Sequence, residues 1–185
     1  PSSPPPQPSS SGIAGHLLIS EVLFDAEGSD GGKEFIELFN PTDQVLDISG
    51  WSIQHVSSSG STSKKNFEST DGVAPHGFFL VWLGNDPRAD MVWASGSLNN
   101  TSATIYLVNG TVAVSGQNPV SVDAFSYNIV DWNGFAAGMS LERKPATNGV
   151  CFSASVSGNG CDTDSVSDWE VRLSPEPQNT QSPSE

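Results

Sequence analysis

Asp25, Glu27, Asp30 and Glu34 crowd the stretch DAEGSDGGKE, with Gly28, Gly31 and Gly32 able to bend the backbone between them. Calcium takes about six to eight oxygens, and carboxylates plus loop carbonyls could supply them here. Asp25, Glu27 and Asp30 are the candidate ligands, and calcium is the one cofactor the sequence suggests. The bland alternative is a solvated acidic loop. A second acidic stretch, CDTDSVSDWE, carries Asp162, Asp164, Asp168 and Glu170. It fails the EF-hand pattern, which would want Asp or Asn at position 166 and Gly at 167, where Val166 and Ser167 stand.

Catalytic chemistry has less to build on. His16, His55 and His76 are scattered, and none stands in a recognisable Ser-His-Asp or Cys-His context. No G-x-S-x-G elbow, H-E-x-x-H pair or phosphate-cradling glycine loop occurs. Glu34 and Glu37 lie three apart on a predicted strand and so point to opposite faces, which counts against a shared site. Glu21 or Asp123 could be the semi-buried partner of Arg143. We therefore assign no catalytic residue and expect no enzyme. A metal-dependent enzyme at Asp25, Glu27 and Asp30 is the reading kept against that expectation.

Trp132 sits in IVDWNGF, a stretch that reads as a loop, with Asp131, Asn133 and Phe135 close by. A flat ring beside an acid and an amide is a kit for stacking a sugar, so these four residues are the candidate ligand contacts. Packing over the end of a sandwich is the competing role. Trp51, heading a strand after Gly50, is expected to fill the space between two sheets.

Cys151 and Cys161 lie ten apart in a loop dense in Ser and Gly. They could close it as a disulfide in an oxidising compartment. The alternative is two free thiols. Zinc is disfavoured by the spacing and by the lack of a nearby histidine.

Short apolar runs punctuated by Gly, Pro, Ser and Asn must position these groups, which indicates an all-β antiparallel sandwich. Strands are expected at Ile19–Phe24, Glu34–Phe39, Trp51–Val56, Phe78–Leu83, Val92–Ala94, Ala103–Leu107, Val112–Val114, Val122–Tyr127 and Trp169–Leu173. At most one helical turn is expected, near Asn85–Asp90. Residues 1–12, PSSPPPQPSSSG, offer almost nothing to bury and read as a semi-extended linker. The domain is expected over 13–177, and 178–185 is expected as a linker or tail. No apolar run approaches the length of a membrane span.

Several of these segments, in order, resemble the lamin tail domain family. Ile19-Ser20-Glu21-Val22 matches its opening strand, Glu34-Phe35-Ile36-Glu37-Leu38-Phe39-Asn40-Pro41 its E-F-I/V-E-L-x-N-P core strand, and Ile48-Ser49-Gly50-Trp51 its L-S-G-W turn. Leu98-Asn99-Asn100 with Ala103–Leu107, then Val122–Tyr127, then Gly138-Met139-Ser140-Leu141-Glu142-Arg143 continue the likeness, which spans about residues 16 to 177. The resemblance implies an immunoglobulin-like sandwich, with no catalytic set to carry over. It is also similar to modules that accompany other domains in bacterial secreted proteins.

With 21 acidic and 7 basic residues the net charge is −14. Such a surface repels nucleic acid phosphate, whose binding needs several Lys or Arg. The expectation is a non-catalytic extracellular or cell-envelope module contacting other domains of its parent protein or a surface partner. A carbohydrate-binding accessory domain, with polysaccharide on the Trp132 loop, is the alternative. Neither nucleic acid nor direct membrane insertion is expected.

Overall fold

Strands β1 (Leu18–Leu23), β2 (Glu34–Phe39) and β7 (Phe78–Leu83) are buried at every position. Their sequences, LISEVL, EFIELF and FFLVWL, carry apolar residues toward both faces, so the sheet they form needs cover on both sides. The chain also forms β3 (Leu46–Asp47), β4 (Ser52–Ser57), β5 (Thr62–Asn66), β6 (Gly72–Val73), β8 (Met91–Val92), β9 (Ser102–Val108), β10 (Asp123–Asn128), β11 (Ser140–Arg143), β12 (Ala146–Thr147), β13 (Val150–Cys151) and β14 (Trp169–Arg172). This computed structural model describes residues 15–114, 121–147, 150–152 and 159–185. The linker expected at residues 1–12 falls outside them.

One sheet has six strands in the order β14-β11-β1-β2-β7-β8, antiparallel except for the parallel β7–β8 pair. The other has four, β10-β9-β4-β5, all antiparallel. Val22, Ile36, Leu38 and Val81 of the first sheet, with Phe24 just after β1, meet Ile53, Ile105, Leu107 and Phe125 of the second in one core. The fold is an immunoglobulin-like β-sandwich. β10 alternates buried and exposed at each step, as a strand with one wet face should.

Aromatic rings form a continuous stack through the core. Phe135 lies on Phe24 (4.8 Å between centroids), Phe24 on Tyr127 (4.1 Å), Tyr127 beside Phe125 (5.7 Å), and Phe125 on Trp169 (3.9 Å). Trp51, expected at the centre, is instead half-buried at the margin of this core. The intersheet space is already filled by the stacked rings.

Two further expectations are corrected. Near Asn85–Asp90 there is a turn rather than a helical one: Ala89 N–H donates to Asp86 O (3.1 Å), and the Asp86 side chain accepts from Arg88 N–H (2.9 Å). Aspartate bonded to the backbone two residues on is a turn former that competes with helix. The short helical turns lie at Ile129–Asp131 and Val166–Asp168. Val112–Val114 forms no strand, because the Gln54 amide takes its place in the pairing, donating to Val112 O (2.9 Å) and accepting from Val114 N–H (2.8 Å).

Residues 178–185 are tied to the sandwich. Gln178 N–H donates to Glu37 Oε2 (2.6 Å), Thr180 N–H to Asp90 (3.0 Å), and Glu185 N–H to His76 O (2.9 Å). Cys151 and Cys161 are joined as a disulfide with Cα atoms 5.3 Å apart. Replacing both with alanine should lower stability by about 2–3 kcal/mol, the effect of opening so short a loop. Urea denaturation of the double variant checks it.

Candidate functional site

Arg143 closes β11 at the place where both sheets and the late acidic stretch meet, and it is only 2% exposed. Its Nε donates to Ile19 O (2.8 Å), Nη1 to Cys161 O (2.8 Å) and Asp162 Oδ1 (3.3 Å), and Nη2 to both Asp123 oxygens (2.9 Å each). Asp168 stands 3.8 Å from Nη1, and the guanidinium lies 4.8 Å from the Trp169 ring centre. Asp123, not Glu21, is thus the partner of Arg143. Asp123 also accepts the N–H groups of Ile19 (2.7 Å) and Ala124 (2.8 Å).

Beside this cluster a groove of about 310 Å³ opens between β10 and β14, lined among others by Phe125, Ser126, Val166, Asp168 and Trp169. Arg143 offers it no free donor, since a guanidinium has about five N–H groups and all are committed within the fold. Asp168 is equally occupied, capping its own helical turn and accepting from Thr163 N–H (2.7 Å). Burial pushes the Asp162 carboxyl upward, against the pull of Arg143 and with the help of Asp123. Neither Arg143 nor Asp168 therefore presents a free charged group to the groove.

The acidic loop after β1 is held by Lys33 N–H on Asp30 O (2.9 Å), by Lys33 Nζ on Glu27 O (2.9 Å), and by Trp82 Nε1 on Gly32 O (2.8 Å). It packs directly on the end of β7: a Cβ at Gly84 would sit 2.4 Å from Gly32 Cα. Only a pair of glycines allows that approach. Asn100 Nδ2 donates to Asp25 (2.9 Å) and Asp30 (2.7 Å), so an amide stands between the two carboxylates where a cation would sit. The other Asp30 oxygen is buried without a hydrogen-bond partner. Glu27 is exposed and takes no part in the Asn100 contact. Glu34, from the start of β2, is fully buried and accepts Leu98 N–H (3.2 Å). Burial above all, then the charges of Asp30 and Asp25, raise its carboxyl to about 7 despite that bond. Asp25 is raised for the same first reason.

In the aromatic loop, Trp132 and Phe135 are half-buried against the core while Asp131 and Asn133 are exposed. Phe135 gives one ring face to Phe24. The histidines share no site: His16 lies 3.6 Å from Asp162, His76 bonds Asp43 (2.8 Å), and His55 is buried in β4. The group of metal-ligand type that converges among the described residues is Cys151, Cys161 and Asp168, with ligand atoms within 4.8 Å. Its two sulfurs are spent in the disulfide. Asn100 was not singled out by sequence reasoning. Its place in the Leu98-Asn99-Asn100 element, which leads into β9, was the available signal.

The fold, a sandwich of six strands on four with a buried arginine hub, defines an immunoglobulin-like domain. The lamin tail domain family model matches residues 10–128, more than half of the sequence, and the chain belongs to that family. The late Gly138–Arg143 element, which supplies Arg143, lies beyond the matched stretch. No curated protein matches the chain.

Arg143→Met should cost about 3–5 kcal/mol, because it strands buried carboxylates without their cation; chemical denaturation reads it. Glu34 gives a pH signature. Its folded pKa lies above the ordinary 4.5, so its contribution is present at low pH and is lost as pH rises toward 7. Glu34→Gln should flatten part of the fall in stability between about pH 5 and pH 8, measured by denaturation at both.

Proposed function

We propose that the chain is a non-catalytic interaction module of a secreted or surface protein. It is joined to its parent through the uncharged Pro/Ser segment at residues 1–12, and it contacts neighbouring domains or a partner in the cell envelope. The observation that carries this reading is the commitment of the buried charged groups to the fold itself. Arg143 spends its donors on Ile19, Cys161, Asp123 and Asp162, while Glu34 and Asp168 accept backbone N–H groups of their own chain. Groups so engaged build a scaffold rather than meet a substrate. Membership of the lamin tail domain family supports the same role.

The Cys151–Cys161 bond supports an oxidising compartment. The net charge of −14 speaks against nucleic acid as the partner. Two measurements test the proposal. Protein recovered from the compartment where it works should show no free thiol on titration, and two free thiols would overturn the extracellular assignment. Incubated with chromogenic phosphoesters, esters and glycosides, the chain should give no turnover. Turnover that disappears in Asp30→Asn would overturn the non-catalytic one.

A further inference from the structure

In β2, Glu37 lies between Ile36 and Leu38, which face the core, so its side chain leaves the sheet on the opposite side. That side of a two-layer sandwich ordinarily meets water, yet Glu37 is 0% exposed and its cross-strand neighbour Glu21 is 2% exposed. The row continues: Glu21 stands opposite Glu142, and Glu142 opposite Glu170. Arg172 pairs at the far end, with Glu142 and 3.6 Å from Glu170. Glu37 instead accepts the Ser20 hydroxyl (2.6 Å) and Gln178 N–H (2.6 Å). Glu21 accepts the Ser140 hydroxyl and a backbone N–H at Glu176.

What stands over the pair is therefore the C-terminal segment. It is fastened further along by Asn179 on Arg88 O (2.8 Å), by Thr180 on Asp90 through N–H (3.0 Å) and hydroxyl (2.5 Å), and by Glu185 N–H on His76 O (2.9 Å). On the same sheet face the glutamates are flanked by Leu18, Phe39 and Phe78 on one side and by Leu23, Phe35 and Trp82 on the other.

We propose that residues 176–185 form a strap closed by a proton, lying over Glu21 and Glu37 while that pair holds one and letting go as the pair loses it. Two carboxyls on directly opposed residues of adjacent strands, taken out of water, cannot both ionise cheaply. Burial is the main cause that raises both, Glu21 to about 7 and Glu37 well above its ordinary range. The charge of Glu21 adds to the effect on Glu37, and that of Glu142 acts on each. The serine and strap hydrogen bonds, and for Glu21 the charge of Arg172, pull the other way without overcoming burial. Closing takes up a proton, so the closed strap is favoured at low pH and opposed as pH rises through 7. The other charges around the segment are its own Glu176 and Glu185, Glu170 of β14, Asp86, Arg88 and Asp90 of the turn after β7, and the Asp43–His76 pair. Asp43 and His76, Asp86 and Arg88, and Glu170 and Arg172 pair with one another, and Asp90 accepts from Thr180.

Amide exchange over residues 176–185, followed in the full chain from about pH 5.5 to 7 and corrected for the intrinsic pH dependence, tests this. Protection at Gln178 and Thr180 should fall about tenfold per pH unit for each proton released, and Glu21→Gln together with Glu37→Gln, which leaves neither carboxyl to titrate, should reduce that slope by at least half. Constant protection in the native chain, or an unchanged slope in the double variant, would overturn the proposal. Should the double variant not fold, Gln178→Pro removes the N–H that Glu37 accepts while leaving both carboxyls in place. Thr180 should then exchange at about pH 5.5 at least as fast as in the native chain at about pH 7. Native protection in Q178P would count against the strap.

Discussion

Arg143 is the one Lys or Arg fully buried among the described residues, and it sits where four separate parts of the chain come together. It holds the carbonyl of Ile19 in β1, the aspartate that opens β10, and the carbonyl and carboxylate of residues 161–162, with Trp169 of β14 under its face. A planar guanidinium can serve such divergent acceptors at once, whereas a lysine could not. The cost of removing its charge from water is offset only when all those partners are in place. This makes assembly of the late part of the chain cooperative with the sandwich. Residues 159–168 have few apolar side chains, and they are held by this cation together with the Cys151–Cys161 bond and the hydrogen bonds that Asp168 accepts from Thr163 and Ser165.

The remaining buried acids have no such counter-ion, and they solve the same problem differently. Glu34 is surrounded by Asp25 and Asp30, and Glu37 by Glu21 and Glu142, so desolvation and like charge combine to keep them protonated well above the usual carboxylate range. The formal charge of −14 therefore overstates what the folded domain carries near neutral pH. Amide and hydroxyl donors, from Asn100, Ser20 and Ser140, fill places that cations fill elsewhere.

The strands with strong apolar runs were legible because burial on both faces leaves little room for ambiguity, and Phe78–Leu83 has the very bounds its sequence suggests. The opposite facing of Glu34 and Glu37 followed from the period of a strand. Legibility failed where a segment's partners are remote in sequence. β5, with the polar sequence TSKKN, is a strand only because β4 pairs with it. The segment 178–185 has the composition of a spacer and is fixed by backbone N–H groups, which sequence does not display. The crowding of carboxylates in the acidic loop is plain in the sequence, but their partner is not. That Asn100, some seventy residues on, donates to Asp25 and Asp30 depends on tertiary placement that no local pattern carries.

The same polar strand has a consequence for how the molecule treats its own copies. Among the described residues β5 pairs with β4 alone, so it forms a margin of the four-stranded sheet, a row of backbone groups that could template another chain. A second β5 laid antiparallel against it, centre to centre, would set Lys64 against Lys64, since that residue is the midpoint of Thr62–Asn66. Like charges directly opposed weaken such a pairing. Two lysines in an otherwise acidic chain thus act as a local guard against edgewise polymerisation, at a position where net charge alone would say nothing.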